Sequence, residues 1–139
     1  MGPAYAIDLE LGCIFIKWSG GITAQAVIAF NRDIPQDPNY RPGLDRLVDF
    51  RQAKYETRSS EIKGMTAKII DERDAVEGDR KFALLAQGDF DFTLFQIIGS
   101  MTNHTGTDAR PFQDMQEAMA WLQLPAGLGD PFANLTDLT

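Results

Sequence analysis

The chain holds one cysteine, Cys13, and one histidine, His104, in 139 residues. A single cysteine excludes an internal disulfide, and its place in the apolar run "GCIFI" reads as a buried small hydrophobe in a reducing compartment. A zinc site draws on several Cys or His ligands, and covalent catalysis needs a nucleophile, a base and an orienting group together. Cys13 and His104 lie in different segments, so neither arrangement is visible. His104 is expected at a helix end, where a cationic imidazole is mildly favoured. Asp71, Glu72 and Asp74 lack the alternating pattern of a calcium loop and read as a solvated helix face.

Positive charge is also scarce: 13 Lys and Arg stand against 20 Asp and Glu, a net charge of -7. That balance works against phosphate backbones and anionic lipid, so nucleic acid is not an expected partner. No stretch approaches the roughly 18 apolar residues of a membrane span. The start "MGPAYAID" has no basic segment leading into an apolar core, so a cytoplasmic location is expected. Gly20, Gly21 and Gly88 build neither GxGxxG nor GxxxxGK[ST] after a strand, and no cofactor is expected.

What is present is an ordinary globular composition, 44% hydrophobic and 24% charged. The length suits one domain, expected over residues 1–124. Residues 125–139 lack periodicity and are expected as a C-terminal tail, loose or docked on the body through Leu128, Phe132 and Leu135.

Strand-like runs at 5–8 and 13–18 flank the turn "ELG" and predict a hairpin. Both faces of the second run are apolar, which predicts a central strand ended by "SGG". Thr23 can cap a helix carrying Val27, Phe30 and Ile34 on one side. "RLVDF" and "KFALLA" read as buried parallel strands, and Ile62, Met65, Ile69, Ile70 and Val76 form a helical stripe between them. A second apolar helix is expected over 90–103, then a brief extended "ARPF", where Pro111 suggests a sheet edge. The last helix has Asp114 as cap, Glu117 three residues on, and Met115, Ala118, Met119 and Leu122 on one face; Pro125 is expected to end it. The predicted order is ββαβαβαβα, an α/β fold with a mixed, mainly parallel sheet covered by helices.

Taken in order, "IDLELGCIFIKWSGGITAQAV", "DPNYRPGLDRLVDF", "FALLAQGDFDFTLFQII" and "RPFQDMQEAMAWL" make the body of the chain resemble the SpoIIAA-like branch of the STAS superfamily, mostly uncharacterised bacterial proteins. The resemblance implies the same ββαβαβαβα fold and a regulatory or binding role, with no established reaction. In the anti-sigma-factor antagonists of that superfamily, a strand ending in Asp leads to Asp-Ser-Ser-Gly, whose serine a partner kinase phosphorylates. Here Asp49 ends the apolar run and Ser59-Ser60 follow, but Thr57 and Arg58 precede the pair and Glu61 replaces the glycine. As residues alone, the serines are explained by capping a helix start. A phosphate there would be favoured by the helix dipole and Arg58 and opposed by Glu61.

Two further places draw attention. Ligands of open α/β sheets sit at strand carboxyl ends, which should carry Asp49, Arg51 and Asp89, with Gly88 beside them; the competing reading is that Asp49 and Asp89 cap nearby N–H groups. Residues 92–107 contain no Asp, Glu, Lys or Arg. For surfaces that are about a quarter charged, a stretch so long is charge-free roughly one time in a hundred. Phe90, Leu94, Phe95, Ile97, Ile98 and Met101 are expected to face the sheet. That leaves Phe92, Gln96, Gly99 and Asn103 as a neutral face for self-association as a homodimer. The alternatives are coverage by the tail or an apolar ligand pocket. The expectation is a non-enzymatic regulatory or binding module acting through a protein or an apolar small molecule; a phospho-regulated switch at Ser59/Ser60 is the alternative, and an enzyme of unknown type the third reading.

Overall fold

The computed structural model describes residues 3–55, 79–102, 106–133 and 135. Among them lie β1 (Ala4–Asp8), β2 (Cys13–Ile22), α1 (Ala24–Asp33), β3 (Asp45–Tyr55), β4 (Arg80–Leu85), α2 (Asp89–Thr102), β5 (Thr107–Phe112) and α3 (Met115–Trp121). Ser59, Ser60, the stripe from Ile62 to Val76, the acidic trio, Asn103 and His104 fall outside the described residues.

The strands form one sheet in the order β1-β2-β3-β4-β5, with β1 antiparallel to β2 and the rest parallel. This is the mixed, mainly parallel α/β architecture expected, and Pro111 does mark an edge strand, β5. Because successive parallel strands step across the sheet in one direction, right-handed crossovers lay their helices on the same face. α1 and α2 accordingly share one core with Ile14, Ile16, Trp18, Val48 and Leu84. Cys13, Phe15, Leu47 and Leu85 point the other way, as the two-residue strand period requires, and are covered by α3 and the segment after it. Coverage on both sides is why β2 reads as a continuous apolar run.

Phe30 joins α1 to the sheet through edge-on contacts with Tyr5 and Trp18, ring centroids 5.6 and 5.8 Å apart. Thr23 caps α1 by accepting from the Ala26 N–H at 3.1 Å, and Asp114 caps α3 through the Gln116 N–H at 2.7 Å.

Three expected boundaries move. β2 does not stop at "SGG": Ser19–Ile22 pair with Gln52–Tyr55, and Gly20 takes a φ of 75° that a side chain would resist. β3 likewise continues past Asp49 to Tyr55. Lys17 pairs with Asp49 but Ser19 with Gln52, so β3 carries one extra residue, a β-bulge, at this point. α3 ends before Pro125, because Gln123 at a φ of 61° closes a Schellman turn in which Leu124 N–H reaches Met119 O and Gln123 N–H reaches Ala120 O.

Candidate functional site

Asp49 is level with the last residues of β4 and β5, Leu85 and Phe112, so it does stand at the carboxyl edge shared by the parallel strands. Its side chain is only 6% exposed. The bulge explains how a carboxylate survives there. Residues 49 and 51 lie on the same side of the strand, and Arg51 folds back along it. Asp49 Oδ1 accepts from the Arg51 backbone N–H and Nε, both at 2.9 Å, and Oδ2 accepts from Nη2 at 3.1 Å. The two-pronged geometry suits a guanidinium and satisfies the buried charge. It holds the Arg51 pKa above its ordinary value, and the nearby Asp130 adds to the effect.

Asp89 and Asp91 both occupy the first turn of α2, where the helix dipole favours negative charge. Asp91 is buried and accepts from the Gln87 N–H at 3.4 Å, reaching back over the helix start; its burial pushes the pKa up from the ordinary carboxylate value. Asp89 is exposed and accepts from Gln113 Nε2 at 3.4 Å, linking α2 to the end of β5. The edge therefore brings Asp89 to Gln113 and Asp91 to the Gln87 N–H, while Asp49 and Arg51 lie on the face of β3 that also holds Leu47. Asp91, Gln113 and Asp130 escaped the sequence reading. The signal for Asp91 was available: an acidic residue at the third helical position is where a side chain can return to a preceding N–H.

The expected self-association face is corrected in its composition. Gly99 is buried against β5, and an added β-carbon would collide with the Ala109 carbonyl oxygen. Phe92 packs partly against the core. Of the four residues only Gln96 is plainly exposed, with Thr93 and Ser100 beside it, while Asn103 lies outside the described residues. Leu94 and Phe95 face the sheet as expected. The expected face was turned by most of a residue step because an apolar helix has no charged stripe to fix its orientation, and because glycine can be an interior residue where a strand comes close.

The contact also affects the sheet edge. Arg80 N–H donates to Gly106 O and Ala86 N–H to Phe112 O, so even-numbered β5 residues turn their polar groups to β4 and odd-numbered ones turn outward. At this outward side Pro111 has no N–H, and the Ala109 carbonyl is covered by Gly99. Both features protect the edge from pairing with another strand. A groove of about 880 Å³ runs beside it, lined by Asp45, Lys81, Gln96, Ser100, Asp108 and Arg110 among others. Its charges are mixed and partly engaged: Arg110 Nε bonds Asp108 at 3.2 Å, and Lys81 Nζ donates to Trp121 O at 3.3 Å.

Two buried arginines were also not singled out from sequence. Arg46 and Arg80 stack on Phe82, 4.8 and 4.5 Å from its ring centroid; Arg46 Nη1 donates to Asn31 at 2.7 Å and Arg80 Nε to Thr107 Oγ1 at 3.0 Å. They tie β3, β4 and β5 to α1. Cys13 is fully buried, and desolvation first, then the neighbouring Asp45 charge, push its thiol up to about 12. Among the described residues no group of three or more His, Cys, Asp or Glu is placed to hold a metal ion. No helix among them is long and apolar enough to cross a membrane.

No family model matches the chain, and no curated protein matches it in sequence. Its structure is similar to the crystal structure of an uncharacterised DUF3478-family protein with a SpoIIAA-like fold from Shewanella loihica PV-4, with a TM-score of 0.59 and 15% identity. The similarity covers 87% of this chain and 93% of that one. The chain has a SpoIIAA-like fold.

Proposed function

On a SpoIIAA-like fold, we propose a non-enzymatic regulatory or binding module of the STAS-like type. It works in the cytoplasm through a protein, a second copy of itself included, or through an apolar small molecule. The observation that carries the reading is that Asp49, Asp91 and Cys13, among the described residues, serve structure. Asp49 is engaged three times by Arg51, Asp91 secures the start of α2, and the Cys13 thiol is held protonated in the core. A thiol so far from its thiolate is a poor nucleophile. The uncharged outer face of α2, with Thr93, Gln96 and Ser100, supports association over solvation.

Light scattering across concentration and native mass spectrometry of freshly purified protein test this reading. A dimer split by Gln96→Arg, or a retained small molecule, is the expected result. A monomer at high micromolar concentration that carries nothing and turns over a substrate would overturn it.

The alternative is a phosphorylated switch at Ser59 or Ser60, supported by the position of that pair after Asp49 in the chain. Phosphopeptide mapping from native cells tests it. As a plain cap, Ser60→Ala costs about 1 kcal/mol at most.

A further inference from the structure

We propose that β1 is a self-pairing edge: two copies of the chain join antiparallel along Ala4–Asp8, about a twofold axis at Ala6, into one continuous sheet. The proposal goes beyond the binding-module reading. β1 lies at the opposite end of the sheet from β5 and α2, so either contact can exist without the other.

The outward groups of β1 follow from its neighbour. Gly12 O accepts from the Asp45 N–H at 3.1 Å, so Gly12 and Ile14 turn their polar groups to β3, while Cys13, Phe15 and Lys17 turn theirs to β1. Their cross-strand partners Asp8, Ala6 and Ala4 are therefore the hydrogen-bonded members of the hairpin. Tyr5 and Ile7, between them, direct N–H and C=O away from the sheet, and these groups have no partner among the described residues.

The two edges of the sheet differ. β5 is blunted by Pro111 and by the approach of Gly99 to Ala109, whereas β1 holds no proline or lysine and pairs with β2 without a bulge. Ala6 is exposed, and Leu9, just past the strand, is a large hydrophobic residue left 46% exposed. α1 rests on Tyr5 through Phe30 and contains no fully buried residue. This is the open end of the sheet.

A second copy is the occupant because the edge complements itself. With Ala6 opposite Ala6 of the second copy, Tyr5 stands opposite the second copy's Ile7 as a hydrogen-bonded pair, and every outward N–H and C=O of these two residues gains a partner. Ala6 then takes the close, non-hydrogen-bonded position, where a small side chain fits. Leu9 comes level with the second copy's Pro3, which has no N–H to leave unpaired.

Charge matches in the same register. Asp8 comes level with the second copy's Ala4, which pairs with Lys17 of that copy. A carboxylate and an ammonium then flank one small residue on the same face of the sheet, with their strands about 10 Å apart. Asp8 Oδ1 accepts from the Leu11 N–H at 3.0 Å, which orients the carboxylate and leaves Oδ2 for the ammonium. Lys17 has no ion-pair partner among the described residues, and Arg51 already occupies both oxygens of neighbouring Asp49. The twofold axis makes the match twice.

Analytical ultracentrifugation of the Gln96→Arg protein tests the pairing with the α2 face disabled. A dimer is expected, and Ala6→Lys in that background is expected to give a monomer, because two like charges meet at the axis. A monomeric Gln96→Arg protein, or a folded Ala6→Lys variant that stays dimeric, overturns the proposal. Lys17→Glu is expected to raise the dimer dissociation constant at least five-fold, and an unchanged constant overturns the register centred on Ala6. Hydrogen exchange on the wild type keeps the test open should a variant misfold. The Tyr5 and Ile7 amides are expected to exchange at least ten-fold more slowly in the dimer than after dilution to monomer, with the Ala6 amide, bonded to β2, changing far less. Tyr5 and Ile7 amides that exchange freely at every concentration overturn the proposal. A dimer split by Gln96→Arg, or a retained small molecule, still supports the binding module, so the two readings fail separately.

Discussion

Gly99 of α2 faces the carbonyl oxygen of Ala109 in β5 so closely that a β-carbon at position 99 would overlap it. On an exposed helix surface, Gly→Ala would gain about 1 kcal/mol of helix propensity. Here the obstructing atom belongs to the backbone of a paired strand and cannot step aside. Gly99→Ala is expected to lose about 1–3 kcal/mol from overpacking. Urea unfolding measures it, and an increased midpoint would refute the close approach. The exposed Gln96→Ala, one turn away, should stay within about 0.5 kcal/mol of the wild type.

The Asp49–Arg51 pair predicts asymmetric losses. Arg51→Met removes both side-chain donors from a carboxylate with little access to water, at an expected cost of about 1–3 kcal/mol. Adding Asp49→Asn to that variant should recover part of the loss, because the unpaired charge has gone. A double-mutant cycle from denaturation curves reads the coupling directly. Strict additivity would mean that the two groups do not depend on each other.

Asp91 gives a pH dependence of known sign. Burial raises its pKa in the folded chain, so the folded state keeps its proton at a pH where the unfolded chain has lost it. The contribution is most favourable below the unfolded value of about 3.9 and declines as pH rises through the folded value. Asp91→Asn has no ionisation there and keeps an oxygen for the Gln87 N–H. It should raise the urea midpoint at pH 7 relative to wild type and lose that advantage near pH 3. A variant less stable at pH 7 would show that the helix dipole outweighs burial.

Cys13 should be silent towards thiol reagents. With its pKa pushed up to about 12 and its side chain in the core, the folded chain is expected not to react with an aromatic disulfide reagent at pH 8. One equivalent should react after unfolding. Prompt labelling of the native protein would place the thiol at the surface and reopen covalent chemistry.

Much of the architecture follows from local pattern. The two-residue alternation of Ile14, Ile16 and Trp18 against Cys13 and Phe15, the caps at Thr23 and Asp114, and Pro111 on an edge strand all reflect constraints that act within a few residues. The sequence alone thus determined the order of the described elements, the mainly parallel sheet and the scarcity of cysteine and histidine. Tertiary structure decided what depends on neighbours distant in the chain. The β-bulge that turns Arg51 onto Asp49 arises from register between β2 and β3, and the orientation of α2 from the approach of Gly99 to Ala109. Phe132 is buried edge-on to Phe15, a residue far away in sequence. Hydrophobic attraction has no direction and marks these residues only as apolar; shape and backbone proximity in the assembled fold select which of them meet.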